Sequence, residues 1–90
     1  MSVLVNIPPI LRQLTGDRKK VEVNALNIEG VIEQLEINHP GFKSRLMKEE
    51  QLHRFINIYV NDEDIRFCDE LKTVVKSGDE ITILPAIAGG

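Results

Sequence analysis

The chain has 90 residues, 42% hydrophobic and 28% charged, with a net charge of −3, which predicts one globular domain and excludes a fully disordered chain. The basic residues are scattered and no apolar run approaches bilayer-spanning length, so we expect neither nucleic-acid binding nor membrane insertion. The N-terminus lacks the basic and apolar regions of a signal peptide, which predicts a cytoplasmic protein.

The first half of the chain predicts two strands and a helix. Residues 2–7 and 19–24 alternate apolar and polar positions, as strands with one buried face do, and the charged outer face of the second suits a sheet edge. We interpret the basic run at 18–20 as a turn and strand start rather than a phosphate site. The helix follows, with Asn27 as its N-cap and Pro40 and Gly41 as its end. We interpret Gly30 as a point of close packing on the sheet.

The second half predicts three more strands. Residues 54–60 (RFINIYV) alternate, residues 61–64 form a tight turn, and residues 65–67 form a short return strand. A Ser-Gly-Asp turn leads into the last strand at 80–84. The segment between the helix and the third strand is ambiguous, and its residues 48–51 are expected to form an exposed loop.

The order strand, strand, helix, strand, short strand, strand predicts an α+β fold with a β-grasp (ubiquitin-like) architecture. In that architecture a mixed sheet of about five strands packs on one main helix. The first and last strands, both short and apolar on one face, are expected to lie side by side in the sheet centre. We assign residues 1–85 to this domain and residues 86–90 to a flexible C-terminal Gly-Gly tail.

Side chains suited to chemistry are few. His39 and His53 have no partners at metal-ligand spacing, so no metal site is predicted. Cys68 is the only cysteine, and we expect it to be a small, partly buried apolar residue rather than a reactive thiol. No nucleophile motif or phosphate-binding loop is present. The sequence therefore predicts no catalytic residues and no cofactor on this chain, which is expected to be a substrate or partner of enzymes.

The bare C-terminal stretch is then the best candidate site. Pro85 ends the last strand and is followed by Ala86, Ile87 and Ala88, then by Gly89 and Gly90. When extended, the tail reaches roughly 15–18 Å beyond the sheet, and glycines pass through channels too narrow for other residues. If Gly90 is the true end of the protein, its carboxylate is the candidate reactive group. A carboxylate is a poor electrophile. Adenylation by ATP in a partner's site would activate it by supplying a good leaving group.

Several stretches resemble a known family. "GDEITILPAIAGG" resembles the C-terminal signature of the small sulfur carriers with ubiquitin-like folds, the MoaD/ThiS family. "IPPILRQLTG" resembles the first connection of that family, and "FINIYVNDEDIRF" its third strand and hairpin. The resemblance covers essentially the whole chain. Within the family, the combination is most similar to the carriers of a cysteine-biosynthesis route.

The resemblance implies a mechanism and partners. An adenylating enzyme similar to ubiquitin activators would use ATP to form an acyl-adenylate on Gly90, and sulfur transfer would release AMP and leave a thiocarboxylate. The sulfur would pass to a cysteine synthase that holds pyridoxal phosphate, and a metalloprotease related to deubiquitinases would release the product. The alternatives are a sulfur donor for molybdopterin or thiamine synthesis, a protein modifier conjugated through Gly90, and an interaction domain with an inert tail.

Strand alternation also predicts a partner-binding surface. If the alternate apolar residues of the strands face the helix, then Leu4, Phe55, Tyr59 and Leu84 lie on the open face of the sheet. Apolar side chains on an open face are typical of a contact surface. We expect these four residues to dock onto the activating enzyme, and the alternative is that the 41–53 segment covers them.

Overall fold

The computed structural model describes residues 2–85; the predicted tail, with Ala86, Ile87, Ala88, Gly89 and Gly90, lies outside the described residues. Two α-helices are present, α1 (Ile28–Asn38) and α2 (Phe42–Leu46). Three 3₁₀ helices span Pro9–Thr15, Ile65–Phe67 and Glu70–Lys72. The strands are β1 (Ser2–Asn6), β2 (Lys20–Asn24), β3 (Met47–Lys48), β4 (Gln51–Leu52), β5 (Ile56–Val60), β6 (Glu63–Asp64) and β7 (Glu80–Pro85).

The main sheet has five strands in the order β2-β1-β7-β5-β6. β1 and β7 pair in parallel, with Asn6 beside Thr82, and the other neighbours pair antiparallel. The predicted mixed sheet, the edge position of β2 and the central neighbours β1 and β7 are all confirmed. β7 is the middle strand; it pairs with β1 over residues 80–82 and with β5 over residues 81–85, so its last three residues are paired on the β5 side only.

One aliphatic core lies between the sheet and α1. The buried side chains of the sheet come from alternate strand positions, such as Val5 and Ile81, and those of α1 come from one stripe that includes Ile28 and Leu35. The predicted cap of α1 is present, because the Asn27 side chain accepts a hydrogen bond from the Gly30 amide at 2.8 Å.

Gly30 is close to the cap and not to the sheet, which corrects its interpretation. A Cβ on Gly30 would lie 3.2 Å from Asn27 Oδ1 and 3.3 Å from the Cβ of Ala25. The absence of a side chain therefore leaves room for the cap and for the short connection from β2 into the helix.

The segment after α1 forms a corner built around Glu36. Its carboxylate accepts hydrogen bonds from the backbone amides of Gly41 at 3.2 Å and Lys43 at 2.8 Å. Phe42 and Leu46 of α2 are fully buried. Residues 48–51 are exposed, as expected, but they form the tip of the small β3–β4 hairpin, in which Lys48 pairs with Gln51, rather than an irregular loop. The hairpin lets the chain reverse while α2 contributes two large side chains to the core.

Two details of the next connection also differ from the prediction. The return strand is Glu63–Asp64, and Ile65–Phe67 is a 3₁₀ helix that begins where the Asp64 side chain accepts a hydrogen bond from the Arg66 amide at 2.8 Å. This local capping bond competes with the strand ladder and ends it. The turn buries Ile65 but leaves Cys68 exposed, which corrects its predicted partial burial.

Side-chain hydrogen bonds join the turn before β7 to the β5–β6 turn. Asp79 accepts from Asn61 Nδ2 at 2.9 Å and from the Lys76 amide at 2.8 Å, while Asn61 Oδ1 accepts from the Glu80 amide at 2.9 Å. Gly78 has a φ of 90°, which a side chain would disfavour. These bonds fix where β7 begins, and its pairing with β5 extends to Pro85.

Candidate functional site

The candidate site is the end of the sheet at which β7 finishes, and we call it the tail end. Because β1 runs parallel to β7, the tail end also contains the end of β1 and the start of β2. Because β5 runs antiparallel to β7, the start of β5 lies here too, with Ile56 paired to Pro85. Residues at these strand ends surround the point where the chain leaves for its tail.

The four residues predicted to bind a partner do not form one continuous cluster. Leu84 is 46% exposed and Phe55 is 38% exposed; both lie at the tail end, Phe55 directly before Ile56. Leu4 is half-buried and faces Glu80, which lies four positions before Leu84, or about 13 Å along the strand. Tyr59 is half-buried, with Thr82 and Asp64 as its cross-strand neighbours. The accessible apolar residues among these four are therefore Phe55 and Leu84; His53 of the 41–53 segment contacts Phe55, but both side chains stay partly exposed.

The Phe55 ring lies next to the positively charged side chain of Arg54. The Arg54 guanidinium lies 4.9 Å from the centre of that ring, within the range of a cation–π contact. The His53 ring lies 5.4 Å from it and accepts a hydrogen bond from the Phe55 amide at 3.2 Å. The exposed aromatic is thus held by its neighbours and presented together with a positive charge.

Arg66 lies on the outer side of β5. It donates to Asn57 Oδ1 and, from Nη2, to the carbonyl oxygens of Ile56 at 3.1 Å and Arg54 at 3.2 Å. β6 is only two residues long, so this guanidinium satisfies edge carbonyls that a longer strand would have bonded. Since Asn57 pairs with Leu84, Arg66 supports the strand beside the last residues of β7.

Arg12 is placed in a similar way on the other side of β7. Its Nε donates to the carbonyl oxygen of Ile7, the residue after β1, at 3.0 Å. The sequence drew attention to the basic run at 18–20 and to neither of these arginines. Their common feature is a backbone acceptor at a strand end, which only the folded chain brings within reach.

Side chains elsewhere offer little reactive chemistry. Within residues 2–85, no group of three or more His, Cys, Asp or Glu side chains is placed to hold a metal ion. Desolvation, followed by the nearby carboxylates of Glu63, Asp64 and Asp69, raises the pKa of the exposed Cys68 thiol. The thiol therefore stays protonated at neutral pH and is a poor nucleophile.

A surface depression of about 520 Å³ lies between the β3–β4 hairpin and the last two 3₁₀ helices. It shares Arg66 with the tail end, and the rest of its lining lies away from β7. Among residues 2–85, no helix has the length and apolar character needed to cross a membrane.

Comparison with known proteins gives full-length matches. Residues 5–90 match the model of the ThiS family. The chain is 50% identical to the sulfur carrier protein CysO of Mycobacterium tuberculosis over 93 aligned positions that cover all of both chains. It is 34% identical to a putative sulfur carrier protein of Archaeoglobus fulgidus, again over all of both chains.

Solved structures give the same result. The Amycolatopsis orientalis BexX/CysO complex contains a chain that is 56% identical, with a TM-score of 0.93 and coverage of 98% of this chain and 99% of that one. Crystalline CysO of Mycobacterium tuberculosis is 49% identical, with a TM-score of 0.90 and coverage of 94% and 99%.

These matches show that the chain is a sulfur carrier protein with a ubiquitin-like β-grasp fold, as the sequence predicted. Within that class, the chain belongs to the ThiS family. Proteins of this class are carriers rather than enzymes, and the BexX/CysO complex indicates that such carriers work with partner proteins.

Proposed function

We propose that this chain carries sulfur as a thiocarboxylate on Gly90 and donates it in the biosynthesis of cysteine. The observation that carries the proposal is the full-length identity to CysO sulfur carriers, together with a family match that includes Gly89 and Gly90. Among the described residues 2–85, no group of three or more His, Cys, Asp or Glu side chains is placed to hold a metal ion, and the raised pKa of the Cys68 thiol disfavours its thiolate.

The proposed chemistry has two steps, both in partner proteins. A carboxylate oxygen of Gly90 attacks the α-phosphorus of ATP and releases pyrophosphate, which converts a poor electrophile into an acyl-adenylate. A sulfide-level sulfur then attacks the acyl carbon, AMP leaves, and the chain ends in a thiocarboxylate. The contribution of this chain is delivery, because a narrow tail positions one carboxyl group in a partner's site.

The proposed partners follow from that chemistry. They are an adenylating enzyme similar to ubiquitin activators, a cysteine synthase that supplies pyridoxal phosphate, and a metalloprotease that frees the product. ATP and pyridoxal phosphate belong to these partners, and the use of ATP fits the cytoplasm. The exposed Phe55 and Leu84 support a docking role for the tail end, because a partner that receives the tail must contact the surface from which it emerges.

The test is intact mass spectrometry of the chain after incubation with the adenylating enzyme, ATP and sulfide. We expect one terminal oxygen to be replaced by sulfur. The matched control lacks only Gly90 and should keep its mass, because the shortened tail no longer reaches the site. An unchanged mass of the full chain with a competent enzyme would refute the proposal. Addition of the cysteine synthase and its substrate should next yield a carrier-bound cysteine, which molybdopterin or thiamine routes would not produce.

A second candidate is a protein modifier joined through Gly90 to lysines of other proteins. It is favoured by the 27% identity to small archaeal modifier protein 3 of Haloferax volcanii, over 88% of each chain. The two functions separate on a denaturing gel: a modifier gives covalent conjugates that persist under reducing conditions, and a carrier alone gives none.

A further inference from the structure

Two arginines flank the strand that leads to the tail. Arg12 is bonded to the carbonyl oxygen of Ile7 at the end of β1, and Arg66 to that of Ile56 at the start of β5. β1 and β5 are the two neighbours of β7, and Ile56 is level with Pro85 whereas Ile7 follows Asn6, which is level with Thr82; two strand spacings and two residues along the strand place these residues about 12 Å apart. The guanidinium groups are therefore fixed on opposite sides of the tail end, although residues distant in sequence supply them.

Neither arginine is neutralised by the part of the chain that the structure describes. The ion pairs among residues 2–85 are Lys20 with Glu80 and Lys43 with Glu33, and the acceptors of both arginines are uncharged oxygens. Arg66 is exposed and Arg12 is partly exposed. Since Arg12 uses Nε for the Ile7 carbonyl, its terminal nitrogens form a fork suited to a carboxylate.

The rest of the sheet divides its charges along the strand direction. Arg18 and Lys19 precede β2, and Arg54 precedes β5, all at the tail end. The opposite end, where β5 finishes and β7 begins, carries Asp62, Glu63 and Asp79 together with Lys76, while Glu80 pairs with Lys20 at the start of β2. Arg18, Lys19 and Arg54 therefore add basic side chains near Arg12 and Arg66, with Asp17 as the acidic neighbour of Arg18.

We infer that Arg12 and Arg66 are docking contacts for acidic side chains on the protein that receives the tail. The inference rests on the proposed function and adds the chemistry of the partner's surface. The phosphates of ATP do not explain the pair: an extended tail holds the reacting carboxyl group up to about 18 Å away, and the screening length in physiological salt is about 8 Å. The matching anions must lie nearer, around the mouth of the partner's channel.

Five variants of the full chain test the inference: Arg12→Gln, Arg66→Gln, the double variant, Arg12→Lys, and Lys76→Gln as the matched control. Lys76 is exposed and lies at the opposite end of the sheet, so the control removes the same charge from a different place. Affinity for the adenylating enzyme is measured by calorimetry at about 50 mM and about 500 mM salt, conditions that span strong and weak screening. Circular dichroism checks that each variant is folded.

At low salt we expect the double variant to bind about tenfold more weakly than the unmodified chain, mainly through slower association. The difference should shrink at high salt, and Lys76→Gln should stay within about twofold of the unmodified chain. Arg12→Lys should bind more tightly than Arg12→Gln but less tightly than the unmodified chain, because lysine restores the charge without the fork. A structural role alone would predict a loss that is independent of salt and is not recovered by lysine.

The outcomes separate this inference from the proposed function. If the unmodified chain is adenylated but the double variant binds equally well at both salt concentrations, the inference fails and the carrier function stands. If the unmodified chain is not adenylated at all, both fail.

Discussion

Replacing Leu84 by glutamine separates a contact residue from a core residue at the tail end. Leu84 is 46% exposed, whereas its neighbour Ile83 on the same strand is 1% exposed. Full burial of a leucine is worth about 1.5–3 kcal/mol, and the folded chain removes only about half of that side chain from water. Leu84→Gln should therefore lower the free energy of unfolding by about 1 kcal/mol, against about 2–5 kcal/mol for Ile83→Ala.

The exposed half of Leu84 also determines how much affinity for the partner the Leu84→Gln variant should lose. A partner that covers the exposed half of Leu84 gains about 1 kcal/mol from the contact, and an amide buried without a partner costs about 1–3 kcal/mol more. Together they correspond to an affinity about 30-fold weaker, or more. Glutamine is preferred to aspartate here because a carboxylate next to Asn57, which Arg66 contacts, would also neutralise that arginine.

Two measurements check the reasoning. Urea unfolding followed by circular dichroism gives the stabilities, and calorimetry with the adenylating enzyme gives the affinities, with Leu84→Ala as an intermediate case at about a fivefold loss. If Leu84→Gln destabilises the fold as much as Ile83→Ala, then Leu84 is a core residue and the prediction is wrong. The prediction is also wrong if the Leu84→Gln variant is folded and binds the enzyme with unchanged affinity.

Three further predictions concern the rest of the fold. Asp79→Ala should lower the free energy of unfolding by about 1–3 kcal/mol, because it removes the acceptor for Asn61 and for the Lys76 amide. Urea unfolding measures this loss, and Asp79→Asn, which keeps one acceptor, is the control. An equal loss for the two variants would contradict the prediction. Phe42→Ala should cost about 3–5 kcal/mol, whereas Phe67→Ala, at 85% exposure, should cost under about 0.5 kcal/mol; similar melting temperatures for the two would contradict this. Because the pKa of the Cys68 thiol is raised, its thiolate fraction at pH 8 is reduced, and alkylation should be slower in the folded chain than in urea; a faster reaction when folded would be the opposite result.

Most of the fold could be predicted because its determinants are local in sequence. Strand alternation placed Val5 and Ile81 in the core, and the side chain of Asn27 marked the start of α1. The errors fall where a short-range side-chain bond competes with a repeating pattern. Asp64 caps the chain into a 3₁₀ helix, so residues that alternate like a strand do not form one, and Cys68 turns outward.

The candidate site was predicted only in part, for a related reason. Alternation correctly placed Leu84 on the open face, but it could not show that Leu4 is separated from it along the strand. Arg12 and Arg66 acquire a common position only when two strands far apart in sequence meet β7. A pattern read along the chain gives the direction of a side chain, whereas the distance between two side chains depends on register.

The central position of β7 has a mechanical consequence. A partner that draws the tail inward pulls along the axis of a strand with a bonded neighbour on each side. Such a force shears the hydrogen bonds between β7 and both of its neighbours, so these bonds resist together. A force across the strands would instead break them one after another. The domain should therefore stay folded while a partner protein binds and pulls on its C-terminus.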